Sequence, residues 1–454
     1  MRAMRRLLAL LLCLSALLAL PCTAAAAEPD PFYLSVRVEG GKESRVRAYE
    51  ESYHGNLYLS LADVSRALSG TTKQFLFSHN GADDSFSITT GRPAAEEKEG
   101  LSVRGRGSAV YLDFTRSRLF IDGGERRYYS YRHGSDKDLY MSLTDIQLIL
   151  DITALRPDDD SVVLCPDRPF RPDPKELERD GFFDAVSAVV LGDADTGELL
   201  FFRDGVRMLP IASLSKLMTY LLLCEAAERG ELSFADEVTI TEESDLISRS
   251  ADGMIAMSAG SRIPLQELVD GMMLASSNEA AASLAAWAAG STEAFVERMN
   301  ERAAELGLKS ARFYSPHGLP VYTADAVTAK RQNMMSAYDM YRLCAYLLKN
   351  YPQITDTTRK QYATMKTLKY STSNTNTLLF NISGVTGLKT GSTNRAGYCV
   401  TVSMPVTREG ETHDIVLVLL GAETPELRGQ AAEILLRWAK EYYAEHEFLP
   451  TARE

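Results

Sequence analysis

A chain of 454 residues exceeds what one small core organises, so two or three domains are expected once any targeting segment is set aside. Its composition, 45% hydrophobic and 24% charged, is that of a soluble globular protein. The formal charge is -12, or -12 - 3 = -15 without Arg2, Arg5 and Arg6, and no basic stripe with interleaved aromatics offsets it, which excludes nucleic acid as an expected partner.

The chain opens with those three arginines, an apolar run from Leu7 to Leu20 and a small-residue stretch ending Ala25, Ala26, Ala27. That pattern predicts a signal peptide over residues 1–27 and an exported mature protein, secreted or associated with the cell wall. Left uncut, Leu7 to Ala27 is just long enough to anchor the chain in a bilayer. Cys22 follows Pro21 rather than a small residue, which argues against a lipoprotein. Beyond the signal, Cys165, Cys224, Cys344 and Cys399 are too irregularly spaced for a disulfide scaffold or a zinc site, and the six histidines are scattered. No metal and no cofactor is expected.

An internal repeat marks the next region. RAYEESYHGNLYLSLADVSRAL, ending at Leu68, returns as RYYSYRHGSDKDLYMSLTDIQLIL, ending at Leu150. Each copy predicts a short strand, then a helix whose first turn is capped by the serine of Ser-Leu-x-Asp, Ser60 or Ser142, then another strand (SFSITTG, SVVLCP). The pattern resembles the stalk-like domain named after the N-terminal region of copper amine oxidases. No copper-ligand constellation accompanies it, so the resemblance implies a spacer or a contact with the cell wall, over residues 28–165. The charged run GRPAAEEKEGLSVRGRGS between the copies reads as a loop. Four prolines from Cys165 onward predict an extended linker over residues 166–183.

A second domain, residues 184–447, opens with AVSAVVLGDADTGELLFF, two strands joined by Asp-Thr-Gly turn chemistry. SLSKLMTYLLLCEAAERG follows, apolar on nearly every face and hence a buried helix, stopped by Gly230. Three further stretches read as helices: LQELVDGMMLASSNEAAASLAAWAA, EAFVERMNERAAELG and SAYDMYRLCAYLLKN. Two strands and a last helix, PELRGQAAEILLRWAKEYYAE, complete the chain. Strands at both ends of a helical middle predict one sheet built from distant segments and covered by helices on both faces.

Ser213 heads the buried helix and Lys216 follows three residues on, one turn along the same face. A serine hydroxyl becomes a nucleophile when a neighbour takes its proton, and a lysine desolvated by apolar packing can be neutral enough to do so. Alone, the pair also fits a helix cap beside a surface lysine. Two further groups follow in order: Ser276 and Asn278 in SSNEAA, then Lys389, Thr390 and Gly391 in GLKTGSTNRAGYC. Ser-x-x-Lys, Ser-x-Asn and Lys-Thr-Gly, in that sequence, are the penicillin-recognising signature.

From about Ala185 to Tyr443 the chain resembles the low-molecular-mass penicillin-binding proteins that act as serine D-alanyl-D-alanine carboxypeptidases. PIASLSKLMT, MLASSNEAA, SPHGL from Ser315 to Leu319, NTNTLL and AGYC add to the three motifs. The resemblance implies a multidomain α+β chain: a small duplicated module, then a β-lactamase/transpeptidase-like α/β/α domain with an antiparallel sheet. It further implies that Ser213 attacks the carbonyl of the penultimate D-Ala, Lys216 takes its proton and Ser276 relays a proton to the departing D-Ala. Asn278 would hold the substrate amide, and Lys389, Thr390 and Arg428 the terminal carboxylate. The oxyanion would lie between the backbone amides of Ser213 and Ser392, beside Gly391. Peptidoglycan stem peptides are the implied substrate and β-lactams the implied covalent inhibitors. His317 fits a family position near the site and carries no assigned catalytic role. Ile211 stands where the family commonly has proline.

Two other functions remain open at this stage. A β-lactamase shares the three motifs, but the deacylating glutamate of E-x-x-L-N is not found where ARFYSPHGLP stands. A wall-binding protein that only recognises peptide ends would keep the same fold.

Overall fold

The computed structural model describes residues 30–52, 55–94, 118–133, 137–323 and 329–449. The expected signal over residues 1–27, and most of the charged run between the repeats, lie outside them. The chain forms two compact units, one from Met1–Thr115 and Ser130–Arg168, the other from Arg116–Tyr129 and Pro169–Glu454.

The first unit contains β1 (Phe32–Val38), β2 (Glu43–Glu50), β3 (Leu57–Ser60), α1 (Leu61–Ala67), β4 (Phe75–Asn80) and β5 (Ser85–Thr90). After β6 (Leu119–Ile121) and β7 (Gly124–Arg126), which belong to the second unit, it resumes with β8 (Tyr140–Ser142), α2 (Leu143–Leu150), β9 (Thr153–Asp158) and β10 (Ser161–Cys165). Alternation sets the faces: Phe32, Leu34, Val36 and Val38 of β1 are buried while the residues between them are more open. Six strands pair in the order β8-β3-β2-β1-β10-β9. The two copies of the repeat meet where β3 and β8 pair antiparallel. Ser60 and Ser142 cap their helices as expected, accepting from the amides of Asp63 and Asp145 at 3.0 Å each. Arg47 ties the copies together, donating to Asp63 at 2.8 Å and to Asp138 at 2.9 Å. Both carboxylates are buried and offset that cost with further bonds, Asp63 to Arg66 and Asp138 to Ser60 and the amides of Ala62 and Leu139.

The second unit continues with β11 (Val186–Asp193), β12 (Leu199–Arg203), β13 (Met208–Pro210), β14 (Glu237–Thr239), β15 (Arg262–Pro264), β16 (Met334–Ser336), β17 (Tyr362–Met365), β18 (Tyr370–Ser373), β19 (Gly387–Thr393), β20 (Gly397–Arg408) and β21 (Glu411–Ala422). It is built on a five-stranded antiparallel sheet in the order β12-β11-β21-β20-β19, so both ends of the domain sequence meet in one sheet, while β13-β16, β14-β15 and β17-β18 pair by twos. The Asp193 carboxylate closes the β11–β12 turn by accepting from the amides of Asp195 and Thr196. Period-two alternation gives the sheet two apolar faces. Val416, Val418 and Leu420 pack with Leu217, Leu221 and Leu347; Ile415, Leu417 and Leu419 pack with Leu435, Leu436 and Ala439 of the terminal helix Pro425–Glu445. This is the expected α+β architecture, an antiparallel sheet between two helical layers.

Four stretches differ from the sequence expectation. Residues 166–183, read as an extended linker, contain a helix, Pro174–Arg179, whose first turn Asp173 caps by accepting from the Lys175 amide at 2.8 Å. Arg116–Tyr129, read as part of the module over residues 28–165, belongs to the second unit. The buried helix starts one turn later than Ser213: Ala212–Ser215 form a 3-10 turn and the α-helix runs Lys216–Glu228, to Gly230 in a left-handed conformation. LQELVDGMMLASSNEAAASLAAWAA, read as one helix, is broken into Leu265–Asp270, a wide turn Gly271–Ala275 and Asn278–Ala289. Ser276 breaks it by adopting φ +63°, after which Ser277 caps the new helix by accepting from Ala280. The sequence gives no sign of this break because the residues on both sides of it, Gly271–Ala275 and Asn278–Ala285, are buried throughout.

Candidate active site

Three segments converge on Ser213. The first is the turn Ala212–Ser215, where Ala212 sits at φ +45°, a conformation that costs an alanine about 1 to 2 kcal/mol. Ser215 offsets part of that by donating its hydroxyl to the Ala212 carbonyl at 2.7 Å. The amide of Ile211 donates to the Asn333 carbonyl at 3.1 Å, a bond the family's usual proline lacks the N–H to make.

The second is the loop Ser315–Leu319. Gly318, at φ +92°, lies against the turn, and the buried Asn333 side chain fixes the loop by accepting from the amides of Tyr314 and Ser315 and donating to the Ser315 carbonyl. The third is edge strand β19, whose Gly391 lets the backbone approach Ser213: a β-carbon there would stand 2.8 Å from the Ser213 amide nitrogen.

Lys216 is fully buried and donates to three oxygens: Ser213 Oγ at 2.8 Å, Asn278 Oδ1 at 2.8 Å and the His317 carbonyl at 2.9 Å. Burial pushes its pKa well below the ordinary lysine value, the Lys389 charge adds to that, and Glu279 opposes it. Two of the three partners can only accept. A neutral amine keeps two N–H bonds for Asn278 and His317 and turns its lone pair to the Ser213 hydroxyl.

Asn278 is committed at both ends, since its Nδ2 donates to the Asp252 carbonyl at 3.0 Å. One N–H of that amide remains for another acceptor. Ser276 is half-buried, and its hydroxyl makes no hydrogen bond to any described residue.

Lys389 is buried on β19, with Nζ donating to the Thr390 carbonyl at 3.0 Å. Burial, with the charge of Arg428 adding to it, lowers its pKa to about 7. Arg428 is itself buried, its guanidinium carbon 5.9 Å from the Tyr398 ring centre. The Thr390 and Thr375 hydroxyls share a hydrogen bond of 2.6 Å. Ser392, next along the strand, is exposed. Burial and the Lys216 charge lower the His317 pKa to about 3, leaving a neutral ring whose Nδ1 accepts from Leu319.

Hydrogen bonds thus join Ser213, Lys216 and Asn278 directly. Gly391 is in contact with Ser213, Arg428 bears on Lys389, and the Lys389 charge in turn bears on Lys216. Sequence reasoning missed Asn333, Asp252 and Thr375. Only Thr375 fell within a motif-like stretch, NTNTLL; Asp252 contributes a backbone carbonyl, which leaves no side-chain signal.

Cys165, Cys224, Cys344 and Cys399 are unpaired and buried, as small core side chains. Burial pushes the Cys399 thiol up to about 11 and those of Cys224 and Cys344 to about 12. Among the described residues one group, Asp193, Asp195 and His413, brings possible metal-ligand atoms within 4.8 Å of one another. These atoms are already used internally: His413 bonds Asp193 at 2.6 Å, and Asp195 accepts from the Asp414 amide at 2.8 Å.

Residues 177–424 match the family profile described as D-alanyl-D-alanine carboxypeptidase. The carboxypeptidase DacF of Bacillus subtilis is 35% identical over 266 residues, 58% of this chain and 64% of that protein. DacA of Escherichia coli is 30% identical over 265 residues, 57% of this chain and 62% of that one. The match therefore spans just under two thirds of the length of these curated relatives. Among solved structures, a peptidoglycan synthesis regulatory factor (PBP3) of Streptococcus pneumoniae superposes with a TM-score of 0.52 at 28% identity, covering 56% of this chain and 73% of its own. Penicillin binding protein 6B of Escherichia coli gives 0.51 at 27% identity, covering 60% and 80%. With the profile spanning more than half of its length, and the three motifs gathered around one serine, this chain belongs to the D-alanyl-D-alanine carboxypeptidase family of serine peptidases.

Proposed function

We propose that the chain is an exported serine D-alanyl-D-alanine carboxypeptidase that removes the terminal D-Ala from peptidoglycan stem peptides. The observation that carries this is the setting of Lys216 Nζ, 2.8 Å from Ser213 Oγ and held by two oxygens that can only accept. An amine so placed is a base aimed at one hydroxyl.

In this reading Lys216 takes the Ser213 proton as Oγ bonds to the carbonyl carbon of the penultimate D-Ala. The backbone amides of Ser213 and Ser392 stabilise the oxyanion. The peptide C–N bond breaks, the departing amine takes a proton through Ser276, and water then hydrolyses the ester. Asn278 uses its remaining N–H for the substrate amide while it holds Lys216. Lys389, Thr390 and Arg428 bind the terminal carboxylate. A β-lactam follows the same first step, but its leaving amine stays tethered, so the adduct persists.

The test is D-Ala release from a pentapeptide muropeptide by the purified chain, with labelled penicillin trapped on Ser213. No release, with Ser213→Ala indistinguishable from wild type, sinks the proposal. Rapid turnover of a chromogenic cephalosporin would point instead to a β-lactamase, and failure to form any adduct to a wall-binding protein.

The organisation that goes with this function is a signal peptide over residues 1–27, a duplicated spacer over 28–165, a linker over 166–183 and the catalytic domain over 184–447. The duplicated copies and their stalk-like pattern support contact with the wall, and the cationic, apolar start supports export outside the cytoplasmic membrane. Among the described residues no helix is long and apolar enough to cross a membrane. Sequencing the mature N-terminus tests cleavage after Ala27.

A further inference from the structure

Glu279 follows Asn278 in the helix and has no exposed surface. A buried carboxylate is costly unless it is bonded. One of its oxygens accepts from two successive backbone amides, Met254 at 3.0 Å and Ile255 at a shorter distance. Its other oxygen is buried without a hydrogen-bond partner among the described residues. Ile255 is buried in the core beside Gly271, so the loop is pinned at this point. Three residues before Ile255, the Asp252 carbonyl accepts from Asn278 Nδ2 at 3.0 Å, and the Oδ1 of the same Asn278 accepts from Lys216.

These bonds close a chain from Glu279 through the loop to Asp252, Asn278 and Lys216. We propose that Glu279 is a positioning residue of this site, its carboxylate clamping the Asp252–Ile255 loop so that Asn278 holds Lys216 against Ser213. The same carboxylate is the negative charge that bears on Lys216 and favours its ammonium form, which is the second half of the proposal. The proposal rests on the reading of Ser213 and Lys216 given above and adds a residue outside the three motifs.

The two contributions separate by substitution. Gln at 279 keeps an oxygen for the Met254 and Ile255 amides and removes the charge; Ala removes both. The groups that bear on Lys216 are Lys389 from β19 and Glu279 from its own helix, with His317 neutral in the facing loop. Removing the Glu279 charge leaves burial and Lys389 unopposed, so Lys216 loses its proton at lower pH.

The experiment is the penicillin acylation rate of the full chain against pH, for wild type, Glu279→Gln and Glu279→Ala, with thermal unfolding of each. The expected result is an acid limb displaced to lower pH in Glu279→Gln, and in Glu279→Ala a plateau rate lower by about tenfold or more as Lys216 loses its fixed position. An acid limb in Glu279→Gln that coincides with wild type overturns the proposal, whatever Glu279→Ala does. A side chain that only held the fold would lower the unfolding temperature and leave that limb in place. If Glu279→Ala does not fold, the Gln variant still decides. A wild-type chain that forms no adduct sinks the underlying reading, whereas an active wild type with an unmoved limb in Glu279→Gln sinks this inference alone.

Discussion

Gly318 packs so closely on the turn before Ser213 that a β-carbon on it would stand 1.9 Å from the carbonyl oxygen of Ala212. That approach, at φ +92°, is open only to glycine, and it sets the conformation from which Ser213 projects. Gly318→Ala is therefore expected to displace the Ala212–Ser215 turn. A shift of about 1 Å at a reacting group costs on the order of 100-fold in rate. Stopped-flow acylation by a labelled penicillin would read it, and a variant reacting at the wild-type rate would show that the loop does not fix the turn.

Lys216 offers a sharper test of proton transfer. Lys216→Met removes the base and keeps an apolar stem, and acylation is expected to fall by about 100- to 10,000-fold, the range of general-base catalysis. Lys216→Arg keeps a cation but cannot release a proton at working pH, so it should be as inactive as the methionine variant. An arginine variant retaining a substantial fraction of the wild-type rate would remove Lys216 from the role of base.

Much of this site was legible in the sequence because its reacting groups lie in short local patterns. Ser213 and Lys216 are one helical turn apart, and Lys389 to Gly391 are consecutive. The sheet was legible because its central strands are near-continuous apolar runs and its first turn uses Asp-Thr-Gly chemistry. What stayed hidden was of two kinds. The break at Ser276 interrupts a run that is mostly apolar on either side, so pattern alone favoured one helix. Asn333 and the Asp252 carbonyl act through long-range backbone bonds, and neither leaves a periodic trace.

The two buried lysines predict the pH profile. Burial and the Lys389 charge hold Lys216 well below the ordinary lysine value, so the neutral base is available as pH rises through that lowered value, giving the acid limb. Lys389 loses its charge as pH rises through about 7, and affinity for a carboxylate falls with it, giving the alkaline limb of kcat/KM in the free enzyme. A bound carboxylate favours the charged lysine, so the alkaline limb of kcat should lie at higher pH than that of kcat/KM. Coincident limbs would argue that Lys389 does not face the substrate carboxylate. For stability the sign is fixed by proton counting: the native state binds fewer protons at both lysines than the unfolded chain does. Their contribution to stability should thus rise as pH increases from about 7 toward the ordinary lysine value of 10.5, a trend that chemical denaturation at several pH values would read.

Recognition of the free carboxylate can be separated from the chemistry. Lys389 and Arg428 make one end of the site cationic, and burial means that their charge is little screened by solvent. Truncating one partner of a buried, hydrogen-bonded charge pair costs about 2 to 5 kcal/mol, or at least about 30-fold in kcat/KM. Lys389→Met should therefore lose that factor or more on a peptide ending in free D-Ala-D-Ala. On the same peptide with an amidated C-terminus, where no anion needs a partner, wild type and variant should converge. A variant that lost equal activity on both peptides would place Lys389 in the acylation step through its field on Lys216, rather than in holding the carboxylate. The acid limb of its penicillin acylation profile would then show which, because removing the Lys389 charge relieves the repulsion that helps keep Lys216 neutral and moves that limb to higher pH.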